Sequence, residues 1–164
     1  MSQLNKWMMG GKISKLVVVI TDKETGEHVE RYSGNTARAQ SLGLPVIKKT
    51  LAQSMPTLSI THIHQLIACR NADTQASVEK TEKEIQEEIQ AIFRQITASV
   101  TFLPVLDGDC TFNVLVYADA DSEVPVEWGD SDAKEIKNAE KVQLRSFSTN
   151  NHRVETLVSY RLAD

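Results

Sequence analysis

No apolar run in the chain approaches the roughly 20 residues a membrane helix needs, so no spanning helix is expected. Residues 1–9 carry one lysine and no long apolar stretch, so no secretory leader is expected there. Basic charge is not in excess: the net charge is −4, which argues against a nucleic-acid partner. The two cysteines, Cys69 and Cys110, form no pair motif. They point to a reducing compartment and read as small buried or half-exposed hydrophobes.

Chemical motifs are also missing. No glycine-rich phosphate loop is present, because Gly10–Gly11 reads as a helix end. Asp107, Asp109, Asp119 and Asp121 lack the spacing of a calcium loop and read as solvated acidic turns. His62, His64 and Cys69 match no zinc spacing. No local motif supports Cys/His or Ser/His catalysis. No enzyme activity, metal or cofactor is expected.

What is present suits one soluble globular domain: 164 residues, 41% apolar and 24% charged. Charge divides it into three parts. Residues 1–32 hold five basic and four acidic groups, residues 33–76 four basic and one acidic, and residues 77–164 nine basic and seventeen acidic. The middle part is foreign in composition to its flanks. Pro45 and Pro56 interrupt it and no period of 2 or 3.6 persists, so it is expected to be irregular, with a weak helix near Val46 to Gln53.

The flanks are orderly. Leu4, Trp7 and Met8 share a helical face that Gly10–Gly11 would end. "KLVVVIT" and "HVERY" flank a turn at Gly26 and predict a hairpin. Thr81 with Glu84 forms a capping box, and Ile85, Ile89, Ile92, Phe93, Ile96 and Val100 make one apolar stripe until Pro104 stops the helix. "CTFNVLVYA" alternates as a strand, an acidic connection with Trp128 follows, and "KVQLRSF" and "HRVETLVSYRL" predict two more strands. The helix's far side changes beyond Glu88. It becomes Ala91, Arg94, Gln95 and Ala98, small residues around an arginine, which either form an ordinary exposed surface or let another helix approach.

"KLVVVITDKETGEHVER", "EKEIQEEIQAIFRQITASVTFLPVLDGDCTFNVLVYADADSEVPVEW" and "EKVQLRSFSTNNHRVETLVSY" resemble the mitotic arrest deficient branch of the HORMA-domain family, which serves the spindle-assembly checkpoint. The resemblance covers residues 1–31 and about 77–164. It implies an α/β (α+β) fold with helices on a largely antiparallel sheet. It also implies a non-enzymatic adaptor that takes a partner's extended peptide as an added strand under a C-terminal safety belt. Implied partners are the co-activator of the anaphase-promoting complex, a kinetochore checkpoint protein and a second copy in another conformer. Implied locations are nucleus, kinetochore and cytoplasm.

On this chain the receiving edge resembles Thr111, Phe112, Asn113, Val114, Leu115, Val116 and Tyr117. The belt would be 119–164, anchored by Trp128 and by Val142, Leu144, Phe147, Val154, Val158 and Tyr160. Arg94, Gln95, Ala91 and Ala98 would form the dimer face. Relative to the family, the chain reads as one incomplete domain: its beginning is missing, and residues 33–76 replace the strand's continuation, as a retained intron or an insertion would. Without the missing helix, Val17, Val19, Phe112 and Val114 are expected to be open and the isolated chain poorly stable. Other readings are a polymerase-accessory or meiotic HORMA adaptor, or a truncated product without binding activity.

Overall fold

A computed structural model describes residues 12–38, 46–51, 80–124, 126, 128–148 and 152–162. The first strand, β1, runs Ile13–Asp22, and β2 runs His28–Arg38. They pair antiparallel through Lys15–Asn35 and Thr21–His28. The turn between them is built by Asp22, whose Oδ1 accepts the backbone N–H of Glu24 and Thr25 at 2.8 Å. Gly26 closes it at φ +71°, a conformation costly for a residue with a Cβ. Those turn N–H groups, Thr25's first, hold the Asp22 carboxyl below the usual aspartate range.

The hairpin is as expected, but β2 is longer. The "SGNTAR" stretch continues the strand as far as Arg38: Ser33–Asn35 lie between β1 and a C-terminal strand, and Thr36–Arg38 pair with that C-terminal strand. This pairing overrides a sequence poor in strand formers. Residues 46–51, where a weak helix is expected, also differ. They form a strand, β3 (Val46–Leu51). Val46, Ile47 and Thr50 are β-branched, and two neighbouring strands supply the hydrogen bonds that a helix would have made internally. Residues 33–38 and 46–51 are therefore regular rather than irregular. The rest of 33–76, and the expected N-terminal helix of Leu4, Trp7 and Met8, lie outside the described residues.

The helix α1 spans Glu82–Ala98, followed by a 3-10 turn at Ser99–Thr101. Its start is the expected capping box: the Glu84 N–H reaches the Thr81 hydroxyl, and the Thr81 N–H reaches Glu84 Oε2 at 2.7 Å. These bonds lower the Glu84 carboxyl's pKa. The remaining strands are β4 (Cys110–Asp119), β5 (Trp128–Asp130), β6 (Glu140–Gln143), β7 (Phe147–Ser148) and β8 (His152–Tyr160). Among the described residues they build one eight-stranded sheet in the order β5-β3-β4-β1-β2-β8-β6, with β7 also on β8. Every pairing is antiparallel.

Two strands lie at the centre of the burial. Val17, Val19 and Leu115 are fully buried, with Tyr117 packed against them. The expected exposure of Val17 and Val19 is thus not found, while Phe112 and Val114 are half-buried. Further along, Ile92, Phe147 and Val154 form a second cluster, lined by Ile85, Ile89 and Ile96. This is the expected stripe of α1, and it packs on the C-terminal strands. Val100 departs from the stripe and is 71% exposed, because the 3-10 turn rotates it off the helix's apolar side.

Ile92 is 1% exposed at the junction of helix and C-terminal strands. Ile92→Ala should cost about 2–5 kcal/mol of stability through lost burial and the cavity left behind. Urea denaturation of the full chain measures it, and the urea dependence should keep its slope.

Candidate functional site

The strand β4 carries the expected receiving residues, Thr111 to Tyr117. It differs from the expectation in one respect: it is not a sheet border. On one side β1 pairs with it from Ile13–Ala118 to Asp22–Cys110. On the other side β3 pairs with it, Val46 opposite Asp119 through to Leu51 opposite Val114. The outer border beyond β3 is β5, with Lys49 opposite Asp130 and Leu51 opposite Trp128. Between β4 and β5 there is thus a slot one strand wide, and β3 lies in it.

Residues 119–162 run around the sheet. The Asp119 N–H bonds the carbonyl of Lys12 at 3.0 Å, and Lys12 Nζ meets Asp121 at 2.9 Å. Val124 and Trp128 then pack on Val116 and Ala118 together with Ile13 and Leu16. Trp128 is half-buried there, within the acidic stretch. Beyond β5 the chain passes the start of β2, where Lys134 and Asp132 act electrostatically on His28. Burial, then the Lys134 charge, lowers the His28 pKa.

The connection finally reaches the opposite border, where β6 pairs with β8 and β8 pairs with β2 from Glu30–Tyr160 to Arg38–His152. Six interstrand spacings of ~4.8 Å are about 29 Å. Residues 131–139 joining β5 to β6 can span about 34 Å at ~3.4 Å per residue. Residues 131–139 thus link one border of the sheet to the other.

Of the C-terminal positions named from the sequence, Phe147 and Val154 share one buried cluster, and Val142 pairs with Val158 across strands. Leu144, Phe147, Val154 and Val158 are buried, and Val142 and Tyr160 are half-buried. The ring of Tyr160 lies 6.1 Å from that of Phe102, which follows α1. Glu30, opposite Tyr160, is buried and accepts the Tyr32 hydroxyl at 2.9 Å. Burial raises the Glu30 carboxyl's pKa, a shift that the Tyr32 bond only partly offsets. Burial, and then the Glu30 charge, raise the Tyr32 phenol's pKa.

The helix face reads differently from the sequence. Arg94 is exposed, with its guanidinium on Gln90 Oε1 at 3.3 Å. Ala98 is exposed and Ala91 half-buried. Gln95 does not face outward freely: its Oε1 accepts the backbone N–H of Arg145 at 2.6 Å. The Arg145 guanidinium also lies 3.7 Å from Glu88. In this conformer Gln95 clasps the bend between β6 and β7. Sequence reading missed that clasp, since nothing local links positions 95 and 145. It also missed β3, for which the β-branched run after Pro45 was the available signal. Among the described residues no three of His, Cys, Asp and Glu gather as a metal site, and no helix is long and apolar enough to cross a membrane.

Residues 128–130 thus border one side of the sheet and residues 140–143 the other, with β3 between β5 and β4. The HORMA domain model matches residues 1–152. The mitotic spindle checkpoint component mad2 of Schizosaccharomyces pombe is 44% identical over 98% of this chain and 66% of its own length. The corresponding MAD2 of Saccharomyces cerevisiae is 41% identical over 97% of this chain and 67% of its own. Human MAD2A, a mitotic spindle assembly checkpoint protein, is 36% identical over 98% of this chain and 64% of its own.

A chain in the crystal structure of the mitotic checkpoint complex superposes with a TM-score of 0.66 at 41% identity, covering 96% of this chain and 67% of that one. C. elegans HTP-1 bound to HTP-3 motif-1 shares the fold, at a TM-score of 0.59 and 16% identity over 97% of this chain and 65% of that one. The chain belongs to the HORMA-domain family, in its MAD2 group. It spans about two-thirds of the length of the curated relatives it matches.

Two predictions test the site's framework. Gln95→Ala should destabilise the fold by about 0.5–1.5 kcal/mol through the lost bond to Arg145, whereas Gln95→Glu, which keeps an acceptor, should lose less. Denaturant titration of both variants measures the difference. For Glu30, a raised folded pKa means the native state binds its proton more tightly than the unfolded chain does. Its stabilising effect is present below the usual glutamate range and lost as pH rises through the folded value. Glu30→Gln should therefore be more stable than the parent at pH 7, with the gain vanishing below about pH 4. Thermal melts across pH check the sign.

Proposed function

We propose that the chain is a non-enzymatic adaptor of the mitotic spindle checkpoint. It holds a short extended peptide as an added strand beside β4, beneath residues 119–162. The observation that carries this reading is the slot between β4 and β5, one strand wide and closed by the segment bearing Trp128. Strand addition gives affinity through backbone hydrogen bonds, whatever the side chains, and selectivity through alternate positions. The register of Ala118, Val116 and Val114 gives such a guest an apolar face on one side. The membership of the MAD2 group and the likeness to a chain of the mitotic checkpoint complex support peptides of checkpoint partners as guests, including the anaphase-promoting complex's co-activator and a kinetochore protein.

The segment 119–162 is then the moving part of a two-state switch, released and re-formed as the guest enters. Its grip on β2 and its Gln95 clasp are the contacts that must break. Arg94, Ala91 and Ala98 remain on the helix face as the surface for a second copy in the other conformer, with Gln95 available once Arg145 is released. Location at the kinetochore, and in nucleus and cytoplasm around it, follows from that role.

A fluorescein-labelled peptide of the co-activator's binding segment, added in excess to the full chain, should form a complex that dissociates over minutes or longer. Trp128→Ala should shorten its residence about tenfold or more, as loss of a large aromatic anchor does. A complex that exchanges within seconds, or one unaffected by the Trp128 change, would sink the enclosed-strand reading.

A further inference from the structure

The guest position is taken. The strand beside β4 is β3, and it belongs to this chain. It pairs with β4 from Val46–Asp119 to Leu51–Val114, so its backbone fills the ladder that a partner's strand would need. It is also the strand through which β5 joins the sheet, since among the described residues β5 neighbours β3 alone. The charges suit the position: residues 33–76 are net basic while 77–164 are strongly acidic, and Lys49 stands in register with Asp130. The ladder sets Ile47 opposite Ala118 and Leu51 opposite Val114.

We infer that residues 46–51 are an internal ligand: they occupy the slot between β4 and β5 in place of a partner's peptide and must leave before one can bind. The inference rests on the strand-addition reading above and adds to it a built-in competitor. Its physical consequence is simple. A tethered strand competes at a high effective concentration set by its connections. A partner's apparent affinity then falls by the fraction of molecules whose slot is empty. Closure of residues 119–162 also ceases to require a partner, so the chain adopts its wrapped arrangement alone.

Hydrogen–deuterium exchange on the parent chain tests occupancy directly. Amides of 46–51 and 114–119 should be protected together, and fast exchange across 46–51 would overturn the inference whether or not any partner binds. Lys48→Pro with Lys49→Pro removes a donor facing each neighbour, since successive N–H groups of a strand point to opposite sides. In that double variant the amides of 114–119 that face β3 should lose protection while those that face β1, and β1 itself at 15–21, keep it, which also shows that the sheet remains folded.

Two labelled peptides complete the test: the co-activator segment and a synthetic peptide of residues 44–53 of this chain. Both should bind the double variant at least about tenfold more tightly than the parent. Equal affinity of parent and variant for the co-activator segment would overturn the internal competitor and leave the adaptor reading standing. If the variant captures the 44–53 peptide but never the co-activator segment, the internal ligand stands and the checkpoint adaptor reading falls.

Discussion

Backbone pairing at the β4 border is the constraint on which the rest depends. A strand with one open side presents a row of N–H and C=O groups that need partners, from the chain itself or from another molecule. In β4 the open side is filled by β3, and among the described residues β3 in turn supplies the only ladder for β5. Remove the middle strand and two things happen together. The outer half of β4 loses its partners, and Trp128–Asp130 loses its place on the sheet. The closed arrangement of residues 119–162 is thus conditional on something extended lying in the slot. On the proposed function, that conditionality would make the fold a switch rather than a fixed scaffold.

The opposite border supplies the second half of the device. There β8 is bound by a long ladder to β2 and buries Val154 and Val158, while Phe147 reaches back to Ile92 on the helix. These contacts hold the end of the wrapping segment, and the crossing at 131–139 links that end to β5. The Gln95 clasp on Arg145 adds a link from the same anchor to the outer surface of the helix. A surface that engages a second copy through Gln95 would compete with that clasp, so docking there and release of the wrapped segment share a residue.

Much of this was legible in the sequence because it is local. The capping box at Thr81 and Glu84, the Asp22–Gly26 turn and the alternation in Cys110–Asp119 each follow from bonds made within a few residues. The anchors Leu144, Phe147, Val154 and Val158 were legible for the same reason, as alternating apolar positions. What escaped were features set by distant partners. "VIKKTL" reads as weak helix or loop by itself and becomes a strand only between β4 and β5. "SGNTAR" has almost no strand preference and extends β2 because β8 pairs with all of it and β1 with Ser33–Asn35. Val100 sits on the helical stripe by angle yet lies outside, since a 3-10 turn changes the angle per residue.

The misread segment is also where composition departs from its surroundings, and the two facts have one explanation. A strand that only fills a slot needs few side-chain features: no apolar residue on every position, no period shared with its neighbours, and a charge that suits the acidic segment above it. Residues 46–51 meet those terms with β-branched residues and two lysines. Backbone hydrogen bonds are nearly indifferent to sequence, so a site that reads backbone first will accept a guest from its own chain as readily as from another. On the proposed function, selectivity among guests would rest less on the slot than on Trp128 and the apolar line of Ala118, Val116 and Val114 beside it, and on how firmly β8 resists being drawn away from β2.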